Sequence, residues 1–246
     1  MAITDNLVSY WKLDEASGNA LDAHGSNNLT DNNTVGAATG KVSGARDFES
    51  SSTQYFSHGS NSDFVCGDID VTWACWVQLE SKTSDMVVFA KLDRAEAFPY
   101  VCKYVSSSDR FVFTANTGGA TTVTANNFGS PSTVTWYYIV VWHDSVANTI
   151  NIRVNNGTAD SASFSAGLND TFQSSTPFGI GAQFIFQSGE VTWDGLIDEF
   201  GFWKGRCLSG AELTTLYNGG AGLAYPFSAG SGTTITVYRS LLGVGV

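Results

Sequence analysis

Basic side chains are scarce in this chain: 12 Lys and Arg stand against 23 Asp and Glu, giving a net charge of −11 and a pI near 4.5. Such a chain repels nucleic acid and anionic membranes and favours cations, so neither is expected as a partner. Only three histidines occur, His24, His58 and His143, too scattered in sequence to suggest a metal or catalytic pair. The four cysteines, Cys66, Cys75, Cys102 and Cys207, have no zinc-site spacing. They allow two bridges in any of three pairings, but Cys75 and Cys102 lie within strand-like runs, which favours buried free thiols. No stretch has the length of a membrane span. The opening MAITDNLVSYWKL has neither a basic nor an apolar leader segment, so a protein made in the cytoplasm is expected.

Hydrophobic residues, by contrast, make up 43% of the 246 positions and aromatics 13%, enough for a packed core. A chain of this length, read as strands, is expected to form one sandwich domain. Leu7 to Leu13, Ala45 to Phe56, Val71 to Leu79, Met86 to Lys91, Tyr100 to Val105, Phe111 to Ala115, Thr121 to Ala125, Trp136 to His143 and Thr149 to Val154 read as strands at short, regular intervals. Val71 to Leu79 carries an aromatic on each face, which places it mid-sheet in a two-layer structure.

The stretch WDGLIDEFGFWKGRCLSGAELTTLYN, from Trp193 to Asn218, is the most informative. Strict alternation puts Leu196, Asp198, Phe200 and Phe202 on one face, so Asp198 points at a core and needs a compensating cation, amide or basic side chain. Ser209-Gly210-Ala211-Glu212 then forms a capping box, opening a short helix that Gly219-Gly220 ends. Asp14 to Gly44 reads as a long polar loop. Within it Asp22, His24, Gly25 and Asn27 gather a carboxylate, a glycine turn and amide or carbonyl oxygens, the hard ligands that calcium takes.

The closing GLIDEFGFW…CLSGAELTTLYNGG resembles the signature of the laminin G-like, concanavalin A-like lectin/glucanase jelly rolls. LVSYWKLDEASGNALDAHGSNNLT and ARDFESSSTQYFS resemble the family's opening strands. The resemblance implies an all-β, two-sheet antiparallel jelly-roll sandwich with one short C-terminal helix over residues 1–227. It also implies a calcium ion shared by Asp22 and Asp198, with Asn27 beside them.

For function, the carboxylate pair of a retaining glycosidase needs two acids about 5 to 5.5 Å apart, as residues two apart on one strand face supply. Asp198 and Glu199 are adjacent instead, and positions 196 and 200 are Leu and Phe, so no enzyme is expected. The expected function is a non-catalytic surface-binding or adhesion module with a glycan as the preferred ligand. Its sugar platforms would be loop-edge aromatics: Phe98, Tyr100, Phe128, Phe172, Phe184 and Phe186. Residues 228–246 read as a glycine-serine linker followed by an apolar, β-prone arm, TTITVYRSLLGVGV. Ile235, Val237, Tyr238, Leu241 and Leu242 would pair with a neighbour's sheet in a homo-oligomer. The alternative expectation is therefore a structural or decoration subunit of a virion, particle or filament, displayed on its surface.

Overall fold

The computed structural model describes residues 1–91, 99–116, 119–168, 177–185 and 189–227, without the side chains of 184, 185, 189 and 190. Phe98, Phe172, Phe186, the side chain of Phe184 and the whole arm from Ile235 to Leu242 lie outside the described residues. In chain order the strands are β1 (Leu7–Trp11), β2 (Thr30–Asn32), β3 (Gly36–Val42), β4 (Gly44–Phe48), β5 (Tyr55–His58) and β6 (Val71–Leu79). Next come β7 (Met86–Lys91), β8 (Tyr100–Val105), β9 (Arg110–Asn116), β10 (Ala120–Thr124), β11 (Trp136–Asp144) and β12 (Thr149–Val154). The last are β13 (Asp160–Ser163), β14 (Phe178–Ile180), β15 (Ala182–Ile185), β16 (Gly189–Thr192) and β17 (Gly195–Lys204), before helix α1 (Gly210–Tyr217).

Two antiparallel sheets face each other. One runs β13-β12-β11-β6-β17-β4-β3 with β1 also on β17; the other runs β10-β9-β8-β7-β14-β5-β2, and β15-β16 is a separate hairpin. This is the all-β jelly-roll sandwich with one short helix that the sequence implies. β6 sits between β11 and β17, the central place its two apolar faces predict. Its Trp73, Cys75 and Val77 enter the core between the sheets, where Trp73 stacks on Phe202 at 5.2 Å. Its Ala74 and Trp76 join a second cluster on the outer side, where Trp76 stacks on Tyr217 of α1 at 5.6 Å. The helix is thus held to the sheet by an aromatic pair, worth about 0.5–1.5 kcal/mol beyond area burial. The capping box is present as Ser209 and Glu212, while Asn218 rather than a glycine takes the left-handed C-cap conformation. All four thiols are free. Among the described residues no helix is long and apolar enough to cross a membrane.

The stretch from Asp14 to Gly44 is not one loop. It contains β2 and β3, which pair with β5 and β4. Both are edge strands, and GAATGKV has no apolar alternation because neither face needs to fill a core. What fastens this segment is Arg46, fully buried on β4. Its Nε donates to Gly36 O at 2.9 Å, Nη1 to Gly18 O at 3.0 Å and Nη2 to Val35 O at 2.6 Å, with Asp31 at 3.5 Å and the Phe56 ring 4.7 Å beneath. The planar guanidinium ties together two chain segments, the carbonyl of Gly18 and those of the adjacent Val35 and Gly36, across a span that the compact ammonium of lysine does not match. Arg46→Met should therefore cost on the order of 3–5 kcal/mol, because it strands a buried carboxylate and three carbonyls, and Arg46→Lys should recover less than half of that. Urea melts of the three proteins check this, and a loss under 1 kcal/mol for Arg46→Met would refute the assignment.

Candidate functional site

β17 has β6 along the whole of one side but changes partner on the other. Gly195 to Ile197 pair with β4, and Phe200 to Trp203 pair with β1. At the handover the ladder to β6 slips: Asp198 faces Trp76, Gly201 faces Ala74, and two residues of β17 oppose Cys75 alone. Glu199 takes φ +50°, the signature of a bulge. The expectation that Asp198 shares a face with Phe200 and Phe202 is therefore corrected. Ile197, Phe200 and Phe202 point into the inter-sheet core, whereas Asp198 lies on the outer side with Trp76. One inserted residue reverses every face after it, which strict alternation cannot foresee.

Asp198 is nevertheless fully buried, because the β3–β4 hairpin folds over it. The Val42 amide donates to its Oδ2 at 2.8 Å, and a Cβ on Gly40 would come within 2.7 Å of the same oxygen. Among the described residues Oδ1 accepts no hydrogen bond, and neither do the two buried carboxylate oxygens of Glu199. The Tyr10 hydroxyl acts on Glu199 without completing a hydrogen bond of ordinary geometry. Asp14, held by the Gly44 amide at 2.8 Å and by Lys12 at 2.8 Å, adds its charge to both acids. Burial first, then Glu199 and Asp14, push Asp198 up to about 8 against the amides of Val42 and Lys41. Burial and Asp14 push Glu199 up to about 7, opposed by Tyr10 and Lys12.

Asp22 is differently placed. It bridges Trp11 on the far side of β1, two strand spacings, about 9–10 Å, from β17. Its Oδ1 accepts from the amides of Tyr10, His24 and Gly25 at 2.9–3.0 Å and its Oδ2 from Asn27 at 3.0 Å. Burial alone would raise its pKa, but these four amides outweigh it and hold the acid below its ordinary value. The Asn27 carboxamide is likewise committed, to Ser9, Asp63 and Asn61 at 2.7–3.1 Å. The structure thus separates Asp22 and Asn27 from Asp198, and the loop is stitched by backbone amides. Glu199 and Asp14, which the sequence reading passed over, are the acids beside Asp198. A further carboxylate group, Asp47, Glu49 and Glu80, lies within 4.8 Å of itself, half-buried or exposed.

The expected aromatic platforms are also corrected where they are described. Tyr100 is fully buried against Trp73 at 4.6 Å, because its face of β8 carries Cys102 and Tyr104 into the core. Phe128 packs edge-on to Tyr137 at 5.2 Å beside the core. The outer side of β8, β9 and β10 carries a groove instead. There Val101, Lys103, Val105, Val112, Thr114 and Thr122 help line a groove of about 380 Å³, within the usual size of ligand pockets. Its floor is hydroxyl and aliphatic, with the Thr114 and Thr122 hydroxyls 2.8 Å apart.

The buried acid pair sets a pH dependence. Both folded values, about 8 and about 7, lie above the ordinary 3.8 and 4.5, so the folded state holds protons that the unfolded chain releases. In chelator, stability contributed by the pair is present below pH 4 and is lost as pH rises to 8. Asp198→Asn should flatten that slope in denaturant melts between pH 5 and 8. A slope unchanged by the substitution would show that Asp198 is ionised throughout.

No curated protein sequence matches this chain. Solved structures do. Domain 4 of the extracellular arabinanase AbnA from Geobacillus stearothermophilus, in complex with arabinotriose, superposes with a TM-score of 0.61 at 15% identity, covering 85% of this chain and 97% of that one. The binding domain of Paraclostridial Mosquitocidal Protein 1 gives 0.67 at 16% identity, covering 89% of this chain and 53% of that one. Trypanosoma rangeli sialidase in complex with sialic acid gives 0.64 at 14% identity, with 91% and 35% covered. At these identities the likeness is one of fold, and the chain spans only about half and a third of the latter two. The family profile described as concanavalin A-like lectin/glucanases, of laminin G type, matches residues 49–214, more than half of the sequence. With the two facing antiparallel sheets, that match makes the chain a member of the concanavalin A-like lectin/glucanase superfamily.

Proposed function

We propose that the chain is a non-catalytic binding module for carbohydrate, acting through the outer groove of β8, β9 and β10. The groove itself carries the reading: it is open, of ligand size, and lined by hydroxyls and small aliphatic side chains that suit the alternating polar and apolar surface of a sugar. The arabinotriose complex of the structurally similar arabinanase domain agrees in kind with it. The burial of Asp198 and Glu199 keeps a substrate away from that pair. A printed glycan array should show binding, and Thr122→Met, which fills the groove and removes a hydroxyl at an exposed position, should abolish it without lowering the melting temperature. Binding unaffected by Thr122→Met would move the site elsewhere, and an array without a hit would remove the reading.

We further propose that a divalent cation, calcium by the hardness of its ligands, neutralises the pair. The reading is supported by the three buried oxygens of Asp198 and Glu199 that accept no hydrogen bond among the described residues and by the added charge of Asp14, a negative charge that such an ion would compensate. The ion would supply structural charge compensation, holding the β3–β4 hairpin on β17. Calcium at a hundredfold excess over its Kd should then stabilise the fold by about 2.7 kcal/mol, and Asp198→Asn should remove most of that gain. Identical melting in chelator and in calcium would refute the ion.

A further inference from the structure

Among the described residues one charged side chain, Lys103, lines the groove. It stands mid-strand on β8, opposite Val87 of β7 on one side and Val112 of β9 on the other, so its ammonium rises from an apolar and hydroxyl floor. The other residues lining the groove are Val, Thr, Ala and Ser. Its only charged partner among the described residues is Asp85, at 3.7 Å, with both side chains partly exposed at 29% and 40%. Asp85 is shared, since its Oδ1 accepts from the Ser106 amide and hydroxyl at 2.9 Å each while its Oδ2 faces Lys103. An ammonium has three donors, and one loose ion pair leaves capacity for another acceptor.

Resting on the reading of this groove as the sugar site, we propose that it selects carboxylated sugars, with the ligand carboxylate on Lys103 Nζ and the ring hydroxyls on the Thr114, Thr122 and Ser108 side chains. Two charges decide the class. Lys103 favours an anionic ring over a neutral one through a charge-assisted hydrogen bond. The net charge of −11 opposes a dense polyanion, so one carboxylate per ring suits the groove better than a heavily sulfated chain. Asp85 then acts as the competitor that the ligand displaces.

The test is an array of matched trisaccharides, each hexose oligomer printed beside the hexuronic acid oligomer of the same linkage and beside its sulfated form. The uronate members should bind about tenfold or more tightly than their neutral partners, with the preference falling as salt rises. Lys103→Met should erase the preference, so that each uronate member binds no better than its neutral partner, with the melting temperature unchanged. Asp85→Asn, which removes the competing charge and keeps an acceptor for Ser106, should enlarge it. Neutral members binding as well as their uronate partners, or sulfated members binding best, would overturn the carboxylate assignment and leave the groove as a sugar site. A preference that survives Lys103→Met would also overturn it. An array on which nothing binds would remove the groove reading together with this one.

Discussion

β17 must satisfy two different neighbours along one edge, and much of the outer structure follows from that requirement. A strand can be passed from β4 to β1 only where its ladder is interrupted, and the interruption is the extra residue at Asp198-Glu199. The slip leaves Ile197, Phe200 and Phe202 all inward, so the core between the sheets is continuous across the fork. The cost appears outside, where two adjacent acids emerge beneath a hairpin. Gly40 is required there because any Cβ would meet the Gly44 carbonyl at 1.8 Å as well as Asp198. The hairpin can lie close only because that position is bare.

Asp22 and Asp198 meet opposite fates, and the difference is in their donors. Asp22 has four amides converging on it and is held ionised. Asp198 has two amides and a carboxylate beside it, too little to offset its burial. Gly25 belongs to the first arrangement, since a Cβ there would lie 2.5 Å from the Val8 carbonyl and 2.8 Å from Asp22. The polar segment from Asp14 to Gly44 is thus organised by the carboxylates of Asp14, Asp22 and Asp31, the carboxamide of Asn27 and the guanidinium of Arg46, each bound to backbone groups or close polar partners.

The sheets were legible in the sequence because core strands announce themselves. The two-faced β6, the apolar β11 paired with β12, and the capping box before α1 all stand where periodicity and capping chemistry put them. Edge strands β2 and β3 were not legible, since their residues are chosen for turns and close approach rather than for burial. The acid in the I-D-E strand was recognisable as exceptional from its apolar neighbours, but its face was not, because a bulge leaves no compositional trace. Tyr100 illustrates the matching difficulty for ligand sites: an aromatic at a strand edge reads the same whether the strand turns it inward or outward. Lys103 gave no signal at all, since a lysine on an outward position is the commonest way to solvate a sheet.

The outer cluster on β6 and β17 also fixes how the domain is mounted. Trp203 donates its indole N–H to Ile3 O at 2.7 Å, and Phe227 packs edge-on to Tyr10 at 5.0 Å, so both ends of the described domain rest on the eight-stranded sheet. The groove is on the opposite sheet. Ile3 and Phe227 thus stand at the back of the sandwich, and the groove opens on the face turned away from them.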